Sequence, residues 1–338
     1  MEKHHANHKS ALSDNFLVRT VGTQKIVVLL VLVALFAVFS IFSASFRSYT
    51  TVITMLSYSY YIAFMAIGVT FVIITGGVDL SLGTGMICYG LIGGYLVVEH
   101  DWPVAAGMAV TILVGVAFGL LNGYLVAIVK LPPFIATLSS MMISRGLGSI
   151  VVKGMSVTWP MKGTEQGWFR NIFRIQVGKL IIPIGLLWVI LIVLLMSFIL
   201  NRTRLGRYII AIGSNKEATR LSGVSVAKYH MAAYVISGFF TGLAAIAYAA
   251  TFQGLVPGTG AGLELDAIGS AVIGGTSMAG GAGSVVGTLL GVFVMSLLKT
   301  GLPFIGLQAN WQQIITGLVL ILAVGLDVLK NRRLARRS

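Results

Sequence analysis

The stretch ITGGVDLSLGTG, residues 74–85, sets an acid, Asp79, and four glycines inside some of the most apolar sequence of the chain. Ionisable groups are costly at membrane depth and usually face a bundle interior or a wet pathway. Arg145, Glu264, Asp266 and Asp327 raise the same question from other apolar runs or their ends. Three roles are open to Asp79. It could cap the helix that restarts near Ser81 by accepting backbone N–H bonds, pair with a base such as Arg145, or meet a substrate or coupling ion. Asn122, in another apolar run, reads as a hydrogen-bonding link between helices. Enzymatic chemistry finds no support. The sequence has no G-x-x-x-x-G-K-[ST] phosphate loop, no G-x-S-x-G elbow, no H-E-x-x-H helix and no Cys/His cluster, and GGTSMAGG has the wrong spacing for a nucleophile. Neither ATP binding by this chain, a metal nor another cofactor is expected. Cys88 is alone, so no intrachain disulfide can form, and His4, His5 and His8 read as solvated polar residues.

These residues must be positioned by membrane helices. With 57% hydrophobic and 10% charged residues, the 338-residue chain holds more apolar side chain than a soluble core could bury. Its net charge of +14 sits in short segments between apolar runs and at the ends, the pattern of cytoplasmic loops rather than of a nucleic-acid face. The expected fold is an all-α polytopic membrane protein of about ten transmembrane helices, some broken or half-length. Runs of membrane length cover 26–46, 51–75, 82–98, 104–129, 134–152, 180–200, 229–252 and 312–329; 266–275 is expected as a half-length helix, and 283–299 as the segment after it. Residues 1–25 and 331–338 are basic tails, and 26–330 form the membrane domain. Ten crossings place both tails and the basic loop 201–228 on the cytoplasmic side. They also place the basic segment 153–179 outside, against the charge rule. Its Trp159, Trp168, Phe169 and Phe173 read as an interfacial aromatic belt, or else as a docking surface for an external partner.

Two glycine-broken stretches interrupt the spans, ITGGVDLSLGTGM at 74–86 and VIGGTSMAGGAGS at 272–284. Broken backbone cannot face lipid, so each must be buried against protein or line a wet cavity. Gly76, Gly77, Ser81, Gly274, Gly275, Thr276 and Ser277 therefore join Asp79, Asn122 and Arg145 as candidates for the pathway or the breaks that frame it. The two stretches share GG-x5-G-x-G, matching Gly76, Gly77, Gly83 and Gly85 to Gly274, Gly275, Gly281 and Gly283. Paired broken segments are expected of a transporter built from repeats, although chance could align two glycine-rich stretches.

Within 201–228, Asn215 is a candidate N-cap, Glu217 falls in the first turn and Gly223 is a stop, which predicts a short helix. A short helix between two spans has no core of its own and is expected to pack on a partner.

The stretches ITGGVDLSLG (74–83), LPPFIATLSSMMISRGL (131–147), AIGSNKEATRLSGVSV (211–226) and ELDAIGSAVIGGTSMAGGAGSVVGTLLG (264–291) resemble, in matching order, those of the permease subunits of bacterial sugar ABC importers. The similarity is greatest to permeases for ribose and related pentoses, hexoses and autoinducer-2. It implies a multi-pass protein of the bacterial inner membrane that pairs with a second permease chain. It also implies a separate cytoplasmic ATPase, an extracytoplasmic sugar-binding protein, and alternating access driven by ATP. The ATPase would be met by a coupling helix that maps onto Asn215, Lys216, Glu217, Ala218, Thr219, Arg220, Leu221, Ser222 and Gly223. Membrane lipid is a further expected partner, and nucleic acid is not. The rival readings are a permease for a nucleoside or another small polar solute, an ion-coupled secondary transporter, and a channel.

Overall fold

A computed structural model describes residues 23–178, 180–252 and 254–335. Most of the expected N-terminal tail (1–22) and the last residues of the C-terminal one (336–338) lie outside the described residues, as do His4, His5, His8 and Lys179. The described residues are mostly helical: α1 (Thr23–Phe42), α2 (Tyr49–Ile74), α3 (Leu82–Glu99), α4 (Val104–Ala127), α5 (Pro133–Val151), α6 (Ile184–Arg202), α7 (Arg204–Ser214), α8 (Lys216–Leu221), α9 (Val226–Thr251), α10 (Leu263–Ile273), α11 (Val285–Gly301) and α12 (Ala309–Ala335). A two-stranded antiparallel hairpin, β1 (Ile175–Val177) and β2 (Leu180–Ile182), is the only sheet among the described residues. Nine of the described helices are long and apolar enough to cross a membrane, and α10, at 11 residues, is the half-length tenth. This is an all-α polytopic membrane protein. Helices prevail because hydrocarbon offers no partner for a backbone N–H or C=O, and a helix pairs them internally.

The bundle is arranged around α2, which is buried on every face from Tyr60 to Ile74. Helices α9, α10 and α11 pack directly on it. No residue in the apolar stretch of α12 is buried, and α1 is mostly exposed, so these two form the periphery. The tightest pairing is between α4 and α9, and glycine spacing explains it. Gly115, Gly119 and Gly123 recur every four residues and form one stripe on α4. A Cβ at Gly119 would come within 2.5 Å of the Tyr234 carbonyl oxygen, and one at Gly123 within 3.0 Å of the Met231 Cα. Small side chains let two backbones approach closely where lipid supplies no hydrophobic drive between helices.

Segment 153–179 is a folded cap. Its Trp159 donates from Nε1 to the Gly90 carbonyl (3.0 Å), and Val157 pairs with Leu255 in an antiparallel bridge. The Arg170 guanidinium donates to the carbonyls of Pro160, Trp159, Ala250 and Phe252. Partial burial pushes that guanidinium below its ordinary value. Trp159, Phe169 and Phe173 are buried in protein, and Trp168 alone of the four aromatics is exposed. An aromatic belt at headgroup level is thus corrected for three of its four members, whose rings fill the cap's own core.

Candidate translocation core and coupling surface

Helix α2 ends in a glycine turn. Gly76 takes φ +79°, its N–H reaches the Ile73 carbonyl (2.8 Å), and the Gly77 N–H reaches back to Val72 (3.1 Å). Helix α10 ends the same way: Gly275 takes φ +101°, its N–H bonds Val272 (2.9 Å), and the Thr276 N–H bonds Ala271 (2.9 Å). This is the Schellman arrangement, in which a left-handed residue lets the next N–H satisfy an orphan helix carbonyl. The geometric equivalent of Gly76 is therefore Gly275, one place off the GG-x5-G-x-G match. The alignment is corrected further downstream as well, because Gly83 and Gly85 lie inside α3 while Gly281 and Gly283 lie in the connection to α11. Backbone geometry recurs at the two breaks; the sequence register does not.

Asp79 follows the first break and is 2% exposed, so its carboxylate depends on protein donors. One oxygen accepts the Ser81 N–H (3.0 Å) and the Ser81 hydroxyl (2.6 Å), and the other accepts the Ser237 hydroxyl on α9 (2.7 Å). The Ser81 oxygen in turn accepts from the Asn122 amide on α4 (3.0 Å), whose own oxygen accepts from the Ser140 hydroxyl on α5. One carboxylate thus ties together the start of α3, α4, α5 and α9. Asp79 accepts the N–H immediately ahead of α3, and Ser81 is the residue at the helix boundary. Pairing with Arg145 does not occur: Arg145 is exposed, and the Asp79 carboxylate is taken up by Ser81 and Ser237. Asn122 is the interhelical link its type suggested.

The second break is held differently. Asp327, near the end of peripheral α12, accepts from the Ser277 hydroxyl (2.9 Å) and the Met278 N–H (3.1 Å). Between α10 and α11, Asp266 meets Lys299 at 2.5 Å. Thr276 is buried. Close approach of α10 to α11 is set by Gly274, where a Cβ would overlap the Gly287 backbone.

The two breaks also touch each other and the basic loop. The Gly281 N–H donates to the Ile74 carbonyl (2.8 Å). Gly213, at the end of α7, wedges between them: a Cβ there would overlap the Ile74 carbonyl and the Gly281 nitrogen. Two residues on, Asn215 accepts the Ala218 N–H (2.9 Å) and caps α8, whose stop, Gly223, takes φ +80°. Glu217 and Arg220 form an exposed ion pair one turn apart, and the Arg220 hydrogen bond draws the Glu217 carboxyl below its ordinary value. Leu221 is 77% exposed, so α8 offers an apolar residue with no covering on this chain. Loop 201–228 and the cap at 153–179 lie at opposite ends of α9, a 26-residue helix of roughly 39 Å, since the loop leads into Val226 and Arg170 grips Ala250 and Phe252. Among the described residues no group of His, Cys, Asp and Glu could hold a metal ion.

Ser237, Ser140, Lys299 and Gly213 escaped sequence reasoning, because a serine, a lysine near a span end or a glycine in an amphipathic loop is unremarkable until its neighbour is known. For Lys299 a signal was present, namely a cation within an apolar run that also follows two acids.

The class of this membrane bundle, with its two broken helices and capped basic loop, is given by known proteins. The model of the family described as "Branched-chain amino acid transport system / permease component" matches residues 51–324. Ribose import permease protein RbsC of Escherichia coli (strain K12) is 38% identical over 272 residues, covering 78% of this chain and 81% of its own. The xylose transport system permease protein XylH of the same strain is 33% identical, covering 80% and 82%. Fructose import permease protein FruG of Bifidobacterium longum is 34% identical, covering 79% of each. The chain belongs to this family of transport-system permease components. No solved structure matches it.

Proposed function

We propose that the chain is the membrane subunit of an ATP-driven importer for a monosaccharide, in the bacterial cytoplasmic membrane with both termini inside. A separate ATPase would supply the energy, a solute-binding protein would deliver the sugar to the outer face, and a second permease chain would complete the pathway. The observation that carries this reading is the wedge at Gly213, which sits against both breaks and is separated from capped, exposed α8 only by Ser214 and Asn215. A push on α8 from a partner would reach Ile74 and Gly281 directly, and so the two connections beside the pathway. Support for the sugar comes from relatives named for ribose, xylose and fructose. Asp79 has both oxygens occupied by hydrogen-bond donors, which favours a structural role for it over that of an ion carrier.

Reconstitution in proteoliposomes tests the reading. Uptake of labelled ribose, xylose or fructose is expected only with binding protein outside and ATPase plus ATP inside. Uptake by the permease alone under an ion gradient would sink it, and ATP-dependent uptake of a nucleoside but of no sugar would move the cargo assignment.

A further inference from the structure

A slot of about 450 Å³ opens on the membrane-facing surface between α4, α6 and α9. Its wall is wholly apolar, built from Val116, Leu195, Ile199, Leu205, Val235 and Phe239 with their aliphatic neighbours. Such a volume falls within the range of about 300–1,000 Å³ typical of small-molecule sites. What distinguishes it from an ordinary dent in a lipid-facing surface is the chemistry at one end.

Leu195, Ile199 and Arg202 are spaced four and three residues apart, so Arg202 continues the slot's wall on the same face of α6. On α9, Lys228 lies seven residues before Val235 and extends that wall in the same direction. Between them α7 begins with Arg204, next to the wall residue Leu205, and Arg207 donates to the Arg202 carbonyl (3.4 Å). All four cations are exposed. The single acid of 201–228, Glu217, is engaged by Arg220 and does not neutralise them. An apolar slot of two helical turns therefore leads into a group of exposed positive charges, with no free acid in 201–228, where α6 and α9 reach the membrane surface.

We propose that this slot is a binding site for one anionic phospholipid, an acyl chain lying between α6 and α9 and the phosphate among Arg202, Arg204, Arg207 and Lys228. Charge selects this occupant over a second copy of the chain. In a two-fold contact through this face, each cluster of cations would be brought toward its own copy, whereas an anionic headgroup satisfies it. The lipid would brace α7, and with it the Gly213 wedge, from the membrane side.

Native mass spectrometry of the full-length permease in detergent, titrated with phosphatidylglycerol or phosphatidylcholine of identical acyl chains, is the test. Retention of phosphatidylglycerol is expected at about fivefold or more lower lipid concentration, since each basic residue near a phosphate adds to the attraction. The preference should vanish in the triple variant Arg202→Gln, Arg204→Gln, Lys228→Gln. Leu195→Trp, which fills the slot, should abolish tight retention of either lipid, with thermal unfolding confirming that both variants are folded. A phosphatidylglycerol carrying a photoreactive acyl group provides a readout without mutation: label is expected in peptides 192–205 and 235–243 above the level on α12. Equal retention of both lipids by the wild type, a preference that survives in the triple variant, or label no denser in the slot than on α12 would overturn the proposal. So would a stable dimer, retaining no lipid, that Leu195→Trp dissociates.

Discussion

The two breaks begin alike and are secured in opposite ways. After α2, the chain is pinned by its own acid: Asp79 gathers donors from α3 and α9, and through Ser81 and Asn122 it reaches α4 and α5. After α10, the longer connection is pinned by an acid from elsewhere, the half-buried Asp327 of peripheral α12. Regions with fewer buried contacts and hydrogen bonds open at lower free energy than the core. The first break is held by the more deeply buried acid, and in the importer proposed above a push through Gly213 would move the second break more readily than the first.

Gly213→Val should have the largest effect, because its side chain would have to enter backbone at both breaks at once. A loss of about 3 kcal/mol is expected, read as failure to elute as a folded species or a large drop in unfolding midpoint. An unchanged midpoint would show that the breaks do not meet through this residue. Next, Asp79→Ala should cost roughly 3 kcal/mol by stranding buried donors on Ser81 and Ser237, against about 1 kcal/mol for Asp327→Ala, where water can reach. Thermal unfolding in detergent measures both, and equal losses would erase the distinction between fixed and movable break. Asp79→Asn should impair assembly or switching while leaving the order of sugar preference unchanged in uptake assays. Gly76→Ala and Gly275→Ala should each lose about 1 kcal/mol, the strain of a left-handed conformation on a residue with a Cβ. Similar losses in chemical or thermal unfolding would sharpen the equivalence of these two positions.

The smallest stability effect belongs to α8. Because the folded value of the Glu217 carboxyl is depressed, the contribution of its pair with Arg220 is complete above the ordinary value of 4.5 and fades as pH falls through the lower folded value. Both side chains are exposed, so Glu217→Gln should leave the unfolding midpoint unchanged between pH 6 and 8. Coupled transport should nevertheless fall in proteoliposomes at unchanged ATPase turnover. Normal coupling in that variant would remove this pair from the contact.

Much of the architecture was legible because the bilayer leaves few choices. Runs of membrane length had to be helices, and the half-length run before the second break emerged as α10. The α8 helix was legible down to its cap, since an Asn N-cap and a glycine stop act locally. The interruptions were visible as glycine clusters, but their equivalence was misread by one residue, because Gly-Gly pairs look alike and only φ tells which one is left-handed. The aromatics of 153–179 were misplaced for a related reason. A tryptophan suits an interface or a core, and the neighbouring Gly90 carbonyl that Trp159 bonds is far away in sequence.

By itself the sequence determined that this chain crosses a membrane about ten times, that two crossings are broken, and that a capped basic turn stands between the sixth and seventh long helices. Those features follow from length, hydropathy and local backbone preference, which depend on neighbours along the chain. Only the tertiary structure decided that Asp79 binds hydroxyls rather than Arg145, that Asp327 holds the second break, and that Gly213 joins both breaks to α8. Such pairings are set by which surfaces meet once glycine stripes let the helices close together, and residues from 49 to 158 positions apart carry no local mark of one another.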